Sequence, residues 1–200
     1  VTILAFSSKG SWLATGSDDR SVRLWDVSTA IQQRKNLTAI TLARHKSPVR
    51  TITITPDSHW LATSGDDREI FLWDLTATNP GAEPKSLTGH DGAITALMST
   101  PDGHWLVTGS DDHTARLWDL TAANPAANSK RLLGHDGTIS ALIISPDGHW
   151  LVTGSEDQTA CLWDLTAPQT QLRCPSRLSG HTGPISTLTV SPDGHWLVTG

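Results

Sequence analysis

The dipeptide Trp-Asp occurs at Trp25-Asp26, Trp73-Asp74, Trp118-Asp119 and Trp163-Asp164, and its tryptophans stand 48, 45 and 45 residues apart. A second series, Trp12, Trp60, Trp105, Trp150 and Trp196, keeps nearly the same step, and the two series use all nine tryptophans of the chain. A self-similar unit of this length cannot bury its own apolar face and must stack on its neighbours, so the chain reads as one array over residues 1 to 200. Residues 101 to 122 and 146 to 167 agree at 19 of 22 positions and differ only at Asp111/Glu156, His113/Gln158 and Arg116/Cys161. One unit has been copied.

Within residues 89 to 133 the unit runs GH, the apolar segment ITALMS, the turn TPDG, a second segment HWLVTGS, an acidic loop DD, a third segment TARLWDL and a polar stretch. Short runs rich in Leu, Ile, Val, Thr and Trp, separated by Gly, Pro and Asp clusters, are the signature of an all-β chain. Pro101-Asp102-Gly103 suits a type I turn, with Pro presetting φ and Gly accepting the positive φ beyond it. It recurs at Pro146-Asp147-Gly148 and Pro192-Asp193-Gly194, and loosens to Pro56-Asp57-Ser58 and Ser8-Lys9-Gly10 towards the N-terminus. The polar stretches TATNPGAEPKSL, TAANPAANSKRL and TAPQTQLRCPSRL read as a loop and a short fourth strand. Their cations, Lys85, Lys130, Arg131, Arg173 and Arg177, then lie on the outermost strand, where charge discourages another sheet from adding on. The units fall at about 1–43, 44–88, 89–133, 134–179 and an incomplete 180–200.

A net charge of −5 argues against a nucleic-acid groove or an anionic membrane as partner, since both need a concentrated positive field. No apolar run approaches the ~20 residues a membrane helix requires. The only cysteines, Cys161 and Cys174, would flank a turn near positions 166 to 173 without lying opposite one another, so no disulfide is expected, and a reducing, cytoplasmic setting is implied. Residue 1 falls inside a repeat and the chain stops within another, which suggests a piece of a longer polypeptide.

GH, an apolar strand, PDG, a strand ending in SDD and LWDL together resemble the WD-repeat family of β-propellers, over essentially the whole chain. The resemblance implies four-stranded antiparallel blades, about four complete and half of a fifth, in an incomplete ring or arc. It also implies a hydrogen-bonded tetrad in each blade, with His, Ser or Thr, and Asp placed 28, 10 and 6 residues before the Trp. Three copies match in full: His45, Thr63, Asp67 and Trp73; His90, Thr108, Asp112 and Trp118; His135, Thr153, Asp157 and Trp163. The first repeat keeps Thr15, Asp19 and Trp25, and the last keeps His181 and Thr199. The chemistry agrees, because indole, hydroxyl, imidazole and carboxylate can donate and accept in series and leave no buried polar group unpaired.

The same residue types invite a catalytic reading, yet an active site is a single convergent constellation and this set recurs in every repeat. No catalytic residue is expected. The His-Trp pairs at positions 59, 104, 149 and 195 invite a metal reading, which fails because one imidazole per blade cannot bring two ligands onto one ion. No cofactor is implied.

Positions that vary between otherwise identical units are those the scaffold leaves free, and they are the candidates for recognition. They are Arg20, Arg68, His113 and Gln158 just after the tetrad Asp, Arg23, Phe71, Arg116 and Cys161 two residues before the Trp, and Lys46, Asp91, Asp136 and Thr182 just after the tetrad His, the first and third sets in loops expected to share one face. Asp18, Asp66, Asp111 and Glu156 precede the tetrad Asp and would add an acidic arc suited to a basic segment of a partner protein. Alternatively these carboxylates only close their loops by accepting backbone N–H groups. The expected function is a non-catalytic protein–protein interaction scaffold within a larger regulatory or signalling protein, and the near-identical repeats resemble recently amplified bacterial arrays. The other reading is a propeller hydrolase whose reactive residues lie in blades outside this stretch.

Overall fold

The structure, a computed structural model, describes residues 1–28, 36, 38–42, 45–166 and 173–200. It is all-β, and its strands divide between two compact units, Val1–Gly89 and His90–Gly200. The first unit holds two antiparallel meanders of four strands, β1 (Ile3–Phe6), β2 (Trp12–Gly16), β3 (Val22–Asp26) and β4 (Ala39–Leu42), then β5 (Val49–Ile54), β6 (Trp60–Gly65), β7 (Ile70–Asp74) and β8 (Lys85–Leu87). The second unit repeats the pattern with β9 (Ile94–Ser99), β10 (Trp105–Ser110), β11 (Ala115–Asp119) and β12 (Lys130–Leu132), then β13 (Ile139–Ile144), β14 (Trp150–Ser155), β15 (Ala160–Asp164) and β16 (Ser176–Leu178). A two-stranded sheet, β17 (Leu188–Val190) with β18 (Leu197–Thr199), completes the described strands. These are the four blades and the partial fifth of a propeller architecture.

Why these residues make these elements is plain from the turns. The amide of Gly103 donates to Thr100 O at 2.9 Å, and Gly103 sits at φ 72, in the left-handed region where a side chain is costly. Asp102 Oδ1 then accepts both the Thr100 hydroxyl at 2.5 Å and the His104 amide at 3.0 Å, which locks the hairpin register. The second repeat keeps the conformation without the glycine, since Ser58 holds φ 63 there.

Within each unit, adjacent sheets pack face to face. In the first unit Ala14, Val22, Leu24, Leu42, Val49, Ile52, Leu61 and Trp73 share one core, and in the second Val107, Leu117, Leu132, Ile139, Leu151 and Trp163 share another. Close approach depends on a glycine at the end of the second strand. A Cβ on Gly16 would lie 2.7 Å from Val49 Cγ1, one on Gly109 would lie 2.6 Å from Ile139 Cγ2, and one on Gly154 would lie 2.7 Å from Ile185 Cγ2. The Gly of the repeated TGS motif therefore sets the spacing of the sheets.

The cations of the outer strands have work beyond edge protection. Lys85 and Lys130 lay their ammonium groups over the rings of Trp60 and Trp105, at 4.7 and 5.0 Å, and His59 and His104 stack beside the same rings. The fourth sheet has Ser176 in place of that lysine, His149 pairs with Asp147 instead, and Trp150 is more exposed than Trp60 or Trp105.

The cysteine expectation is corrected. Cys161 and Cys174 form a disulfide, with Cα atoms 5.7 Å apart. They are indeed not register partners, since Cys161 lies opposite Arg177. The chain ahead of β16 does not continue the hairpin, however: Arg173 bridges to Leu133, and the Cys174 amide donates to Leu133 O at 2.7 Å, which brings Cys174 over the face of β15. Of the turn expected near positions 166 to 173, residues 167–172 lie outside the described residues. With the disulfide formed, cysteine usage no longer argues for a reducing compartment.

Candidate functional site

In the three sheets whose sequence carries all four residues, the tetrad members lie within hydrogen-bond distance of one another. Thr108 Oγ1 stands 3.0 Å from Trp118 Nε1 and 2.8 Å from His90 Nε2, and His90 Nδ1 stands 2.7 Å from Asp112 Oδ2. The corresponding distances are 3.2, 3.0 and 2.9 Å for Trp73, Thr63, His45 and Asp67, and 3.1, 2.7 and 3.0 Å for Trp163, Thr153, His135 and Asp157. The carboxylate only accepts, so Nδ1 carries the N–H that it receives, and Nε2 of the neutral ring accepts the hydroxyl O–H while the hydroxyl oxygen accepts from the indole. In the first repeat, whose tetrad His position would precede residue 1, the Thr15 hydroxyl donates to Arg23 O at 3.5 Å. In the fifth repeat His181 Nε2 meets Thr199 Oγ1 at 2.6 Å.

The tetrad carboxylate also organises the surface above it. Asp112 Oδ2 accepts the Asp91 amide at 2.9 Å, and Oδ1 accepts the amide and hydroxyl of Thr114 at 3.0 and 2.6 Å. Asp157 does the same with the amides of Asp136 and Thr159 and the Thr159 hydroxyl, at 2.9, 2.9 and 2.6 Å. Burial opposes the charged form of both groups, but these donors and the His rings outweigh it, holding Asp157 down to about 2 and Asp112 well below the ordinary carboxylate range. Asp67 takes the Lys46 amide at 2.9 Å, yet Glu69 stands where the other repeats have Thr or Ser, and Asp67 Oδ1 is left buried without a partner.

Each tetrad thus stitches the loop before the first strand to the loop after the second. Lys46 comes beside Asp66 and Arg68, Asp91 beside Asp111 and His113, and Asp136 beside Glu156 and Gln158, all of them exposed; Asp18 and Arg20 are exposed on the corresponding loop of the first sheet. Arg20, Arg68, His113 and Gln158 all hold left-handed backbone, at φ 71, 64, 65 and 71. Each ends a turn closed by its own amide onto Ser17, Gly65, Ser110 or Ser155 O. The turn chemistry asks for glycine at that position, and the chain puts long polar side chains there instead.

The loop-closing alternative for Asp18, Asp66, Asp111 and Glu156 does not match the geometry: among the described residues none of their carboxylates accepts a backbone N–H, a task done by the tetrad Asp and by Ser110 and Ser155. The acidic arc is nevertheless uneven. In the first unit Arg50 donates to both oxygens of Asp66, at 3.0 to 3.2 Å, and to Asp18 at 3.3 Å, so that pair is already countered. In the second unit Asp111 and Glu156 form no ion pair among the described residues, while Asp136 is met by Arg177 at 3.4 Å.

Arg50 was not singled out by sequence, although a signal exists. Arg50, Thr95 and Ser140 are the extra residues of β-bulges in β5, β9 and β13, each five positions after the tetrad His. A bulge re-aims its side chain. Thr95 Oγ1 donates to Ile139 O at 2.5 Å and Ser140 Oγ to Ile185 O, latching each sheet to the next, as Thr2 Oγ1 does to Val49 O at 3.3 Å. Arg50 departs from that pattern and reaches the loop carboxylates. No group of three or more His, Cys, Asp or Glu suited to a metal occurs among the described residues, and no helix there is long and apolar enough to cross a membrane.

Comparison with known proteins agrees on the repeats. The family model described as WD domain, G-beta repeat matches residues 1–26, 37–74, 81–119, 127–164 and 172–200. Over 57 residues the chain is 40% identical to the target of rapamycin complex subunit wat1 of Schizosaccharomyces pombe, a stretch covering 28% of this chain and 16% of that protein.

Proposed function

From the premise that the chain belongs to the WD40 family, whose model matches most of its length, we propose that it is a non-catalytic platform for protein–protein interaction. On this reading it is the repeat portion of a larger regulatory or signalling protein, and it grips a basic segment of its partner along the polar loop edge. The observation that carries the proposal is the set Arg20, Arg68, His113 and Gln158. A left-handed conformation costs a residue with a Cβ about 1 kcal/mol or more, and the same chain uses glycine at four of the five copies of the left-handed position in its strand 1–2 turn, at Gly10, Gly103, Gly148 and Gly194, with Ser58 the exception. Keeping exposed polar side chains of three kinds at four positions where the backbone prefers none supports their use in recognition. The similarity to a protein named as a complex subunit points the same way.

Electrostatics decides which part of the edge attracts a cation. Arg50 counters Asp18 and Asp66, so Asp111 and Glu156 of the second unit carry the attraction. The test is binding of a labelled octalysine peptide across a salt series. The double variant Asp111→Lys with Glu156→Lys is expected to bind at least tenfold more weakly, with a shallower salt dependence. Asp66→Lys is expected to matter less. Equal binding by the wild type and the double variant contradicts the electrostatic part of the proposal.

A further inference from the structure

The third and fourth sheets close the same junction by two chemistries. In the third, Arg116 on β11 donates through Nη1 to Ser129 Oγ at 3.3 Å, immediately ahead of β12. One period of 45 residues later stand Cys161 on β15 and Cys174 just ahead of β16, joined covalently across the same separation of 13 residues. The corresponding residues of the second repeat are Phe71 and Pro84, and the chain has no other cysteine. Arg116/Cys161 is also one of only three differences in the copied stretch of 22 residues. The disulfide is therefore an individual feature of the fourth repeat, on the side of the sheet where the third repeat uses a hydrogen bond.

What it holds leads to the loop edge. Cys174 is seated by the hydrogen bond its backbone N–H donates to Leu133 O, at 2.7 Å, and against Gly134, where an added Cβ would collide with Cys174 Cβ. The chain then enters β16, whose three residues are all exposed. Its middle residue, Arg177, lies opposite Cys161 in the register and three positions after Cys174, so the two sulfur-bearing residues flank it across the sheet and along the chain. The Arg177 guanidinium donates to Gly134 O and reaches Asp136 Oδ2 and Asp157 Oδ2, each at 3.4 Å. One cation thus sits on the loop residue Asp136 and on the tetrad carboxylate at once.

We propose that the Cys161–Cys174 bond is a redox-reversible tether that, through Arg177, sets the charge the fourth sheet presents at its loop edge. This rests on the reading of that edge as a binding surface for a basic segment. Oxidised, the tether keeps Arg177 beside Asp136 and counters its charge; reduced, the segment keeps its strand pairing and its hydrogen bonds to Leu133 and Gly134 but loses the covalent tie, and Arg177 leaves Asp136 more readily. The chemistry is thiol–disulfide exchange with a dithiol reductant. A thiolate of the reductant attacks Sγ of Cys174, the partly exposed residue of the pair, and the S–S bond breaks with Cys161, fully buried, leaving as thiolate and taking up a proton. The second thiol of the reductant then attacks the mixed disulfide and frees Cys174, so that two electrons pass to the protein and the reductant becomes a disulfide. Disulfides that are opened and closed in this way are the regulatory kind.

The test uses the whole chain, oxidised or treated with dithiothreitol, with thiol titration, hydrogen exchange and binding of the octalysine peptide as readouts. Reduction is expected to expose two thiols, to speed exchange of the amides of Asp136 and of residues 176 to 178, and to tighten peptide binding about threefold at low salt. Arg177→Gln, an exposed substitution, is expected to bind like the reduced wild type with or without dithiothreitol, and Cys174→Ser to be indifferent to it. Two free thiols in the chain after mild oxidation, or reduction without faster exchange at these amides, overturns the tether. Faster exchange with unaltered peptide affinity upholds the tether and overturns the electrostatic reading of the edge.

Discussion

Asp112 accepts the backbone N–H of Asp91 at 2.9 Å with the same oxygen that takes the His90 ring proton at 2.7 Å. The buried network and the exposed loop are therefore one hydrogen-bonded object. Shifting His90 or Asp112 moves the loop that bears Asp91, and the side chains offered to a partner are only as well ordered as the tetrad below them.

His90→Ala is expected to lower stability by about 1 to 3 kcal/mol, because the Thr108 hydroxyl and one oxygen of Asp112 lose a buried partner. Thermal and denaturant unfolding measure the effect; an unchanged midpoint contradicts it.

Acid should unfold the protein through the tetrad carboxylates. The Asp157 carboxyl is held at about 2 in the folded chain against an ordinary value of 3.8. A lowered folded value means that the stabilisation is complete above pH ~4 and disappears as the pH falls to ~2, a loss of about 2 kcal/mol for this one group. Asp157→Asn is expected to flatten the acid limb of the stability profile, read by denaturant titration at each pH.

Gly109→Ala should cost about 1 to 3 kcal/mol, since the new methyl meets Ile139 Cγ2 and the packed sheets must separate or distort. Gly183→Ala, where no atom lies within 4 Å of an added Cβ, serves as the control and is expected to leave the melting temperature within a degree or so. Equal effects at both positions would remove sheet spacing as the explanation.

Ser58→Gly is expected to stabilise the second repeat by about 1 kcal/mol, because it relieves a left-handed residue and removes a buried hydroxyl that has no partner. A lower unfolding midpoint for the variant would mean that glycine's greater freedom in the unfolded chain outweighs both gains.

The period of the tryptophans determined the sheets, and the spacing of His, Thr, Asp and Trp inside each unit determined which residues could form a tetrad. These features are local to one meander, where antiparallel register fixes what a residue ten or twenty-eight positions away can touch. The tertiary structure alone decided the contacts that break the period: Arg50 reaching Asp66 and Asp18, Cys174 brought over Cys161, and Arg177 resting on Asp136 and Asp157. Each joins a bulge, a loop or an edge strand to something outside its own register, along a chain path that depends on how neighbouring sheets pack rather than on hydrophobic alternation. That is why the scaffold was legible from the repeats, whereas the charge on its loop edge was not.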